Sequence, residues 1–340
     1  MDEEITLEEY IEEYNSEVYN VYPIFFKEMN YINILAYYFN WIGESLFSKE
    51  VILNKYINSN ISINDVLQIA ADIISNFGDD YKEEFEKRIN DGTIMFVDAD
   101  ENSFAYTEKE NNHFNLNIDR NYNIEDIIKL VHEFFHYLHI SKFDEGLKNE
   151  QCYLYGEMFS ILGELYTVLY LYKNNIFKDD AMIYLKKEIM IFYKYANNTL
   201  IMGIVMHIYD LYNNFTDESI DDYINFTNSP EEFVKVFDYL NDIDEFNYHE
   251  LATYIMGFFP AFLLANSMIE DKSIIIRFRN CINHINEYKD KRELFNYLSI
   301  DNLLLDTINL SQLVDEMYLI FKQLYDNNEI NYQKKLGGLW

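Results

Sequence analysis

Apolar residues recur three and four positions apart through most of the chain, which is the spacing of buried or amphipathic helices. Residues 5–91 follow this pattern, with breaks near Pro23, Ser59-Asn60 and Gly78. Further along, helix is predicted over 148–174, 178–213, 230–241, 246–270, 273–297 and 309–326. We therefore expect a mainly α protein.

One short β-rich stretch interrupts the helical pattern. Three runs separated by polar turns read as strands, at Thr93–Asp98, Ser103–Thr107 and His113–Ile118. No linker rich in proline, glycine or serine divides the chain, so no clean domain boundary is visible. We expect an N-terminal helical segment (1–92) and a second region (93–340), which holds the sheet and the candidate site, to form one continuous compact unit.

The stretch that follows the predicted sheet, 123–140, is typical of a buried helix. Asn123 suits the N-cap, and Glu125 and Asp126 supply acidic residues to the first turn. Apolar side chains cover most of its circumference. They are Ile124, Ile127, Ile128, Leu130, Val131, Phe134, Phe135 and Leu138.

This helix carries the pattern HExxH at residues 132–136. His132 and His136 project from one face about one turn apart, so both imidazoles can reach one metal ion. Glu133 points to the side, where it could hold a water bound to that ion. The pattern is the signature of zinc metallopeptidases. The alternative is a set of core histidines that pair with nearby carboxylates.

A third ligand has to come from elsewhere in the chain. Lys142 occupies the position where a metzincin would place its third histidine, which excludes that class. His139 shares the face, but it lies about 10.5 Å along the helix axis from His132. We therefore expect His139 to support the site without binding the ion.

The helix predicted over 148–174 offers carboxylates instead. Glu157, Ser160 and Glu164 share one face of an otherwise apolar helix, which is costly unless that face meets a partner. We predict Glu157 as the third ligand. Glu164 is the rival, and otherwise orients a ligand imidazole. Two histidines and a glutamate suit one catalytic zinc per chain with an open position.

Composition restricts the partners. The formal net charge of −33 argues against nucleic acid and against an anionic membrane surface. It would suit cationic peptides, but a plain acidic surface is the favoured explanation. The start, MDEEITLEEY, has no signal-peptide features, and no apolar run looks long enough to span a bilayer. We expect a cytoplasmic protein.

These motifs resemble the thimet oligopeptidase and oligoendopeptidase F family of zinc peptidases. The family's metal helix reads HExGHxxH, matched by His132, Glu133, His136 and His139. Its second motif reads ExxSxxxE, with the first glutamate as zinc ligand, matched by Glu157, Ser160 and Glu164. The metal-helix glycine of the family is Phe135 here, so a bulky ring occupies a position of close backbone approach.

Weaker likenesses flank these motifs. The family's Gly-Ala-Tyr-Ser strand is similar to Phe104-Ala105-Tyr106-Thr107, and its Tyr-Ala-Thr-Gly-Phe segment is similar to Tyr254-Ile255-Met256-Gly257-Phe258. The likeness is most specific over 93–165. It implies a gluzincin-like catalytic domain in a short form that resembles only the catalytic half, without the N-terminal lobe that roofs the family's channel.

The resemblance implies a zinc-dependent peptidase that acts on oligopeptides, with Glu133 as general base. Tyr254 matches the segment that supplies a donor to the oxyanion, and His249 and Tyr248 are rivals nearby. An extended substrate would pair with an edge strand, either Ser103–Thr107 or His113–Ile118. The alternatives are a catalytically weak zinc-binding relative that binds peptide or protein, and a helical structural protein with an accidental motif.

Overall fold

The computed structural model describes residues 31–39, 56–98, 105–110, 113–142, 156–212, 248–288 and 291–300, with a few isolated positions elsewhere. Its strands are β1 (Ile94–Asp98), β2 (Tyr106–Glu110) and β3 (His113–Arg120). Its helices are α1 (Ile63–Ser75), α2 (Asp79–Asn90), α3 (Ile124–Lys142), α4 (Gly156–Lys173), α5 (Lys178–Tyr212), α6 (Tyr248–Glu270), α7 (Lys272–Asn283) and α8 (Lys291–Leu298). Residues 31–39 are also helical. The prediction of a mainly α fold with a small sheet before the HExxH helix is confirmed.

The sheet has three strands in the order β1-β3-β2. β1 runs parallel to β3, and β2 runs antiparallel to it with Thr107 opposite Leu116. β3 is thus paired on both sides, so the expectation that His113–Ile118 could be an edge strand is wrong. Among the described strands β2 is an edge, and it lies later in the chain than the predicted 103–107 because pairing with β3 extends it to Glu110.

The turn from β3 into α3 is fixed by one buried carboxylate. Asp126 accepts hydrogen bonds from the backbone N–H groups of Asn121 (2.6 Å) and Tyr122 (3.1 Å) and from Arg120 Nε (3.2 Å). Tyr122 has a φ of 60°, and this network stabilises that left-handed conformation. The Asn123 side chain accepts from the Glu125 N–H (2.7 Å), as an N-cap does. The start of α3 is thereby held on the sheet.

Helix α3 lies at the centre of the core. It packs against α4, β3 and α1, and the apolar residues expected to surround it are buried. On α1 the buried face comprises Val66, Ala70, Ala71, Ile73 and Ile74. The described part of the first 92 residues therefore shares one core with the sheet and α3. The division at residue 92 itself stays a prediction.

Helix α6 packs closely against α4. Its stretch Ala252–Glu270 is long and apolar enough to cross a membrane, contrary to the sequence expectation that no run reaches that length, and 72% of the stretch is buried inside the protein. An added Cβ at Gly257 would come within 2.8 Å of the Met158 nitrogen and 3.1 Å of the Glu157 carbonyl carbon. The glycine thus permits a backbone contact at the residue predicted as third ligand.

The C-terminal predictions are only partly met. The single helix expected over 273–297 is wrong, because α7 ends at Asn283 and a 3-10 turn, Ile285–Glu287, precedes α8. Neither glycine nor proline marks this break in the sequence. The helix predicted over 230–241, most of that over 309–326 and the first 30 residues lie outside the described residues.

Candidate metal centre

Helices α3 and α4 bring three of the predicted residues together. His132, His136 and Glu157 each offer one ligand atom, and these atoms all lie within 4.8 Å of one another. Oε2 of Glu157 is 3.3 Å from His136 Nε2 and 4.0 Å from His132 Nε2. Donors arranged tetrahedrally about 2.0–2.1 Å from a zinc ion lie roughly 3.4 Å apart. The separations therefore fit one zinc ion.

The three donor side chains are largely buried but keep some exposure to solvent. The side chains of His132, His136 and Glu157 retain 15%, 18% and 21% of their exposure. A fully closed site would suit a structural ion, whereas a catalytic ion needs one accessible position. The exposure agrees with the catalytic kind.

Glu164 sets the orientation of His132. Its Oε2 lies 3.0 Å from His132 Nδ1. When Glu164 is ionised, it accepts a proton held on Nδ1, which leaves the Nε2 lone pair directed at the candidate ion position, as in the carboxylate–histidine–zinc arrangement. The structure thus puts Glu164 beside a ligand imidazole and Glu157 within the donor group.

The charges around the two imidazoles favour a cation between them. Burial, and then the nearby His136, lower the pKa of His132, so this imidazole is neutral and carries one proton. Burial alone would raise the pKa of Glu157, but the two histidines outweigh it and lower the pKa to about 2. With the His132 proton on Nδ1, a bare nitrogen and a carboxylate oxygen face each other at 4.0 Å.

Histidine–carboxylate pairing without a metal explains the contact of His136 with Glu157 but not that of His132. Burial acts to lower the pKa of His136, but Glu157 outweighs it and the pKa is raised, so His136 could hold a proton for the carboxylate. If the His132 proton is on Nδ1, Nε2 has no proton to donate to Glu157 Oε2. A divalent cation satisfies both nitrogens and the carboxylate at once.

Glu133 is held on the sheet side of α3. Its side chain is 3% exposed. The Thr107 hydroxyl of β2 lies 2.7 Å from Glu133 Oε2 and 2.9 Å from the Glu133 backbone oxygen. One oxygen of this carboxylate is therefore engaged by the sheet, and a role for Glu133 in proton transfer stays a prediction.

Ser160 supports Glu157 from one turn along α4. Its hydroxyl lies 2.9 Å from the Glu157 backbone oxygen and 3.1 Å from Glu157 Oε2. Of the predicted face, Glu157 and Glu164 meet the two histidines of α3, whereas Ser160 bonds Glu157 within α4.

His139 lies away from the donor group. Its ring stacks on Phe159 of α4, with centroids 4.8 Å apart. Burial lowers its pKa to about 4, so the ring is neutral. This placement agrees with a supporting role.

Phe135, which stands where the family has glycine, is accommodated by a glycine on the other helix. An added Cβ at Gly163 would come within 2.8 Å of the Phe135 ring. The ring is fully buried and packs on Phe77 and Phe278. Close packing of α3 on α4 needs a small residue at this contact, and Gly163 of α4 provides it.

Of the three predicted oxyanion donors, the structure describes the side chain of Tyr254 alone. Tyr254 lies on α6 one turn before Gly257, and its ring packs against Phe192 and Tyr195 of α5. Tyr248 and His249 begin α6, and their side chains lie outside the described part of the structure. A role for any of the three stays a prediction.

Sequence reasoning missed two groups on α5. Tyr184 and Glu188 hydrogen-bond one another and lie against Glu164. Burial, and then repulsion from Glu157, raise the pKa of Glu164 to about 8, and burial with the Glu164 charge raises that of Glu188. Only the packing of α5 on α4 reveals this pair, because no local pattern in 178–213 marks Glu188.

No protein-family model matches the sequence, and no curated protein matches it. Solved structures do. The chain is similar to a protein described as an oligoendopeptidase F from Bacillus anthracis, with 13% identity and a TM-score of 0.57 over 89% of this chain and 56% of the other.

Two further solved structures are similar to this chain. One is a protein described as a peptidase from Chlamydophila abortus (11% identity, TM-score 0.55, 91% of this chain and 57% of that one). The other is PZ peptidase A with an inhibitor (12% identity, TM-score 0.53, 87% and 57%). The resemblance seen in the motifs is confirmed at the level of the fold. The chain spans a little over half the length of these structures.

Proposed function

We propose that this chain is a zinc-dependent metallopeptidase that hydrolyses peptide bonds in oligopeptides. The observation that carries the proposal is the meeting of His132, His136 and Glu157 around one ion-sized position. It is supported by Glu164 on His132 and by the fold shared with peptidases. A binding module would have no need of a general base, and the chain carries Glu133 between the two histidines, with one carboxylate oxygen held by Thr107.

His132, His136 and Glu157 would hold the ion, one per chain. When bound, zinc supplies a Lewis acid that acidifies water and polarises a carbonyl. Glu133 then accepts the proton of the attacking water and donates it to the leaving amine, acting first as base and then as acid.

Two further parts of the chain would handle the substrate. β2 is an edge strand beside α3, so its outer backbone groups could pair with an extended peptide. Tyr254, or His249 at the start of α6, would donate to the oxyanion, which needs a donor besides the metal.

The test is cleavage of a mixed oligopeptide library by zinc-loaded wild type and by Glu133→Gln. The substitution preserves shape but removes the base, so we expect kcat to fall by at least about 10²-fold while zinc content is unchanged. Equal cleavage by both proteins would overturn the mechanism. Zinc binding without cleavage by either would point to the catalytically weak, peptide-binding relative.

A further inference from the structure

We infer that Thr107 is a positioning residue for Glu133, holding one oxygen of its carboxylate so that the other faces the reacting water. The inference rests on the proposed function and adds a residue of the edge strand to its proton-transfer machinery. Thr107 has no place in the metal set, and its role follows from contacts of the described residues alone.

The sheet register directs Thr107 at the metal helix. Thr107 lies opposite Leu116, which is fully buried, whereas the adjacent Tyr106 is 45% exposed. Since side chains alternate along a strand, Thr107 points to the α3 side and Tyr106 to solvent. A slip of one residue would exchange the two, so the pairing of β2 with β3 decides whether the hydroxyl reaches Glu133.

The hydroxyl has one proton and two acceptors within reach. Glu133 Oε2 is at 2.7 Å and the Glu133 backbone oxygen at 2.9 Å. Because a hydrogen bond to an ionised acceptor is about twice as strong as a neutral one, the proton goes to Oε2 while Glu133 is charged. The Oε2 position is then fixed from the sheet side, and Oε1 is the oxygen that accepts the proton of water.

The backbone oxygen gives the same hydroxyl a second acceptor. Rotation about the Thr107 Cβ–Oγ1 bond lets the hydroxyl donate to either oxygen of Glu133, and neither strand nor helix has to move.

Matched variants separate this role from packing. Thr107→Val keeps the shape and removes the hydroxyl, and Thr107→Ser keeps the hydroxyl. Thr93→Val is the control, because it removes a threonine hydroxyl that bonds the Arg88 backbone oxygen (3.1 Å) ahead of β1. Zinc content and melting temperature are recorded for each variant.

We expect Thr107→Val to lower kcat about tenfold to hundredfold, the range given by loss of a hydrogen bond to a charged group. KM and zinc content stay near wild type. Thr107→Ser recovers most of the loss, and Thr93→Val shows none. Wild-type kcat in Thr107→Val, an equal loss in Thr107→Ser, or loss of zinc would each overturn the inference.

A binding readout keeps the two proposals distinguishable. Acetohydroxamate would lose a proton on binding a zinc ion held by His132, His136 and Glu157, and Glu133 is the residue proposed to accept that proton. We expect its Kd for zinc-loaded protein to rise about tenfold in Thr107→Val and to stay unchanged in Thr93→Val. If wild type cleaves nothing, the peptidase proposal fails and this titration still decides the role of Thr107. A chain that binds no zinc contradicts both.

Discussion

At the scale of single residues, the decisive feature is that His132 meets a carboxylate at each of its ring nitrogens. Glu164 lies 3.0 Å from Nδ1, and Glu157 lies 4.0 Å from Nε2 on the side of the candidate ion. When Glu164 is ionised, the first contact favours a proton on Nδ1, and the bare Nε2 beside Glu157 then favours a cation. We therefore expect Glu164 to control zinc affinity without binding the ion.

Replacing Glu164 tests this control. Glu164→Gln keeps an acceptor for Nδ1 but removes the charge that Glu164 carries above its pKa of about 8, so at about pH 9 we expect zinc affinity to fall about tenfold or more. Competition with a chromophoric chelator measures the affinity. Glu270→Gln is the control, because Glu270 is 74% exposed at the end of α6. Equal affinities in all three proteins would show that the Glu164 contact is incidental.

The buried carboxyls of Glu164 and Glu188 predict a pH dependence of the metal-free protein. Both pKa values are raised in the folded chain, that of Glu164 from 4.5 to about 8. A raised carboxyl pKa stabilises the fold fully below about pH 4.5, and that contribution is lost as the pH rises toward 8.

Glu188→Gln should remove part of the stability loss that wild type shows as the pH rises toward 8. In the presence of EDTA, we expect its melting temperature to exceed that of wild type at pH 8 and the difference to shrink at pH 5. Scanning calorimetry at several pH values measures it. A difference that does not change with pH, or that grows on acidification, would contradict the assignment.

Much of the residue-scale site could be predicted because it is local in sequence. The spacing of His132 and His136 on one helix, and of Glu157 and Glu164 on another, follows from the helix period alone. Thr107 and Glu188 could not be found this way. The first depends on strand register and the second on how α5 packs against α4, and both are tertiary.

At the scale of elements, two glycines set how closely the helices approach the site. Gly163 admits the Phe135 ring of α3 against α4, and Gly257 admits the α4 backbone against α6. A side-chain ring can shift by a few tenths of an ångström to admit a methyl group, whereas a helix backbone resists such a displacement. Gly156 is an internal comparison, since a Cβ there meets only the His139 ring at an ordinary 3.8 Å.

Three alanine substitutions should therefore rank in a fixed order. Overpacking costs about 1–3 kcal/mol. We expect Gly257→Ala to lower the free energy of unfolding most, Gly163→Ala less, and Gly156→Ala hardly at all. Urea unfolding of zinc-loaded protein measures the series. Phe135→Leu should restore stability to Gly163→Ala but not to Gly257→Ala, and rescue of both would refute the assigned contacts.

Element boundaries were predicted well only where local signals are strong. Asn123 and the acidic first turn of α3 placed its start correctly, because capping depends on adjacent residues. The edge strand was predicted too early, since alternation alone cannot show where β3 supplies partners. The break after Asn283 has no glycine or proline to announce it.

At the scale of the whole molecule, one core joins α1, the sheet, α3, α4 and α6, and the candidate metal centre lies on that core. The fold is shared with peptidases about 1.6 times as long, at 11–13% identity. Whether this chain shares their chemistry therefore depends on whether His132, His136 and Glu157 bind a metal ion.

The most direct test is elemental analysis of purified wild type beside His136→Ala. His136 Nε2 lies 3.3 Å from Glu157, so its loss opens the donor set while Phe135 and the rest of α3 stay packed. We expect about one zinc per wild-type chain and little or none in His136→Ala. Absence of metal from wild type after incubation with zinc, or equal zinc in both proteins, would contradict the account.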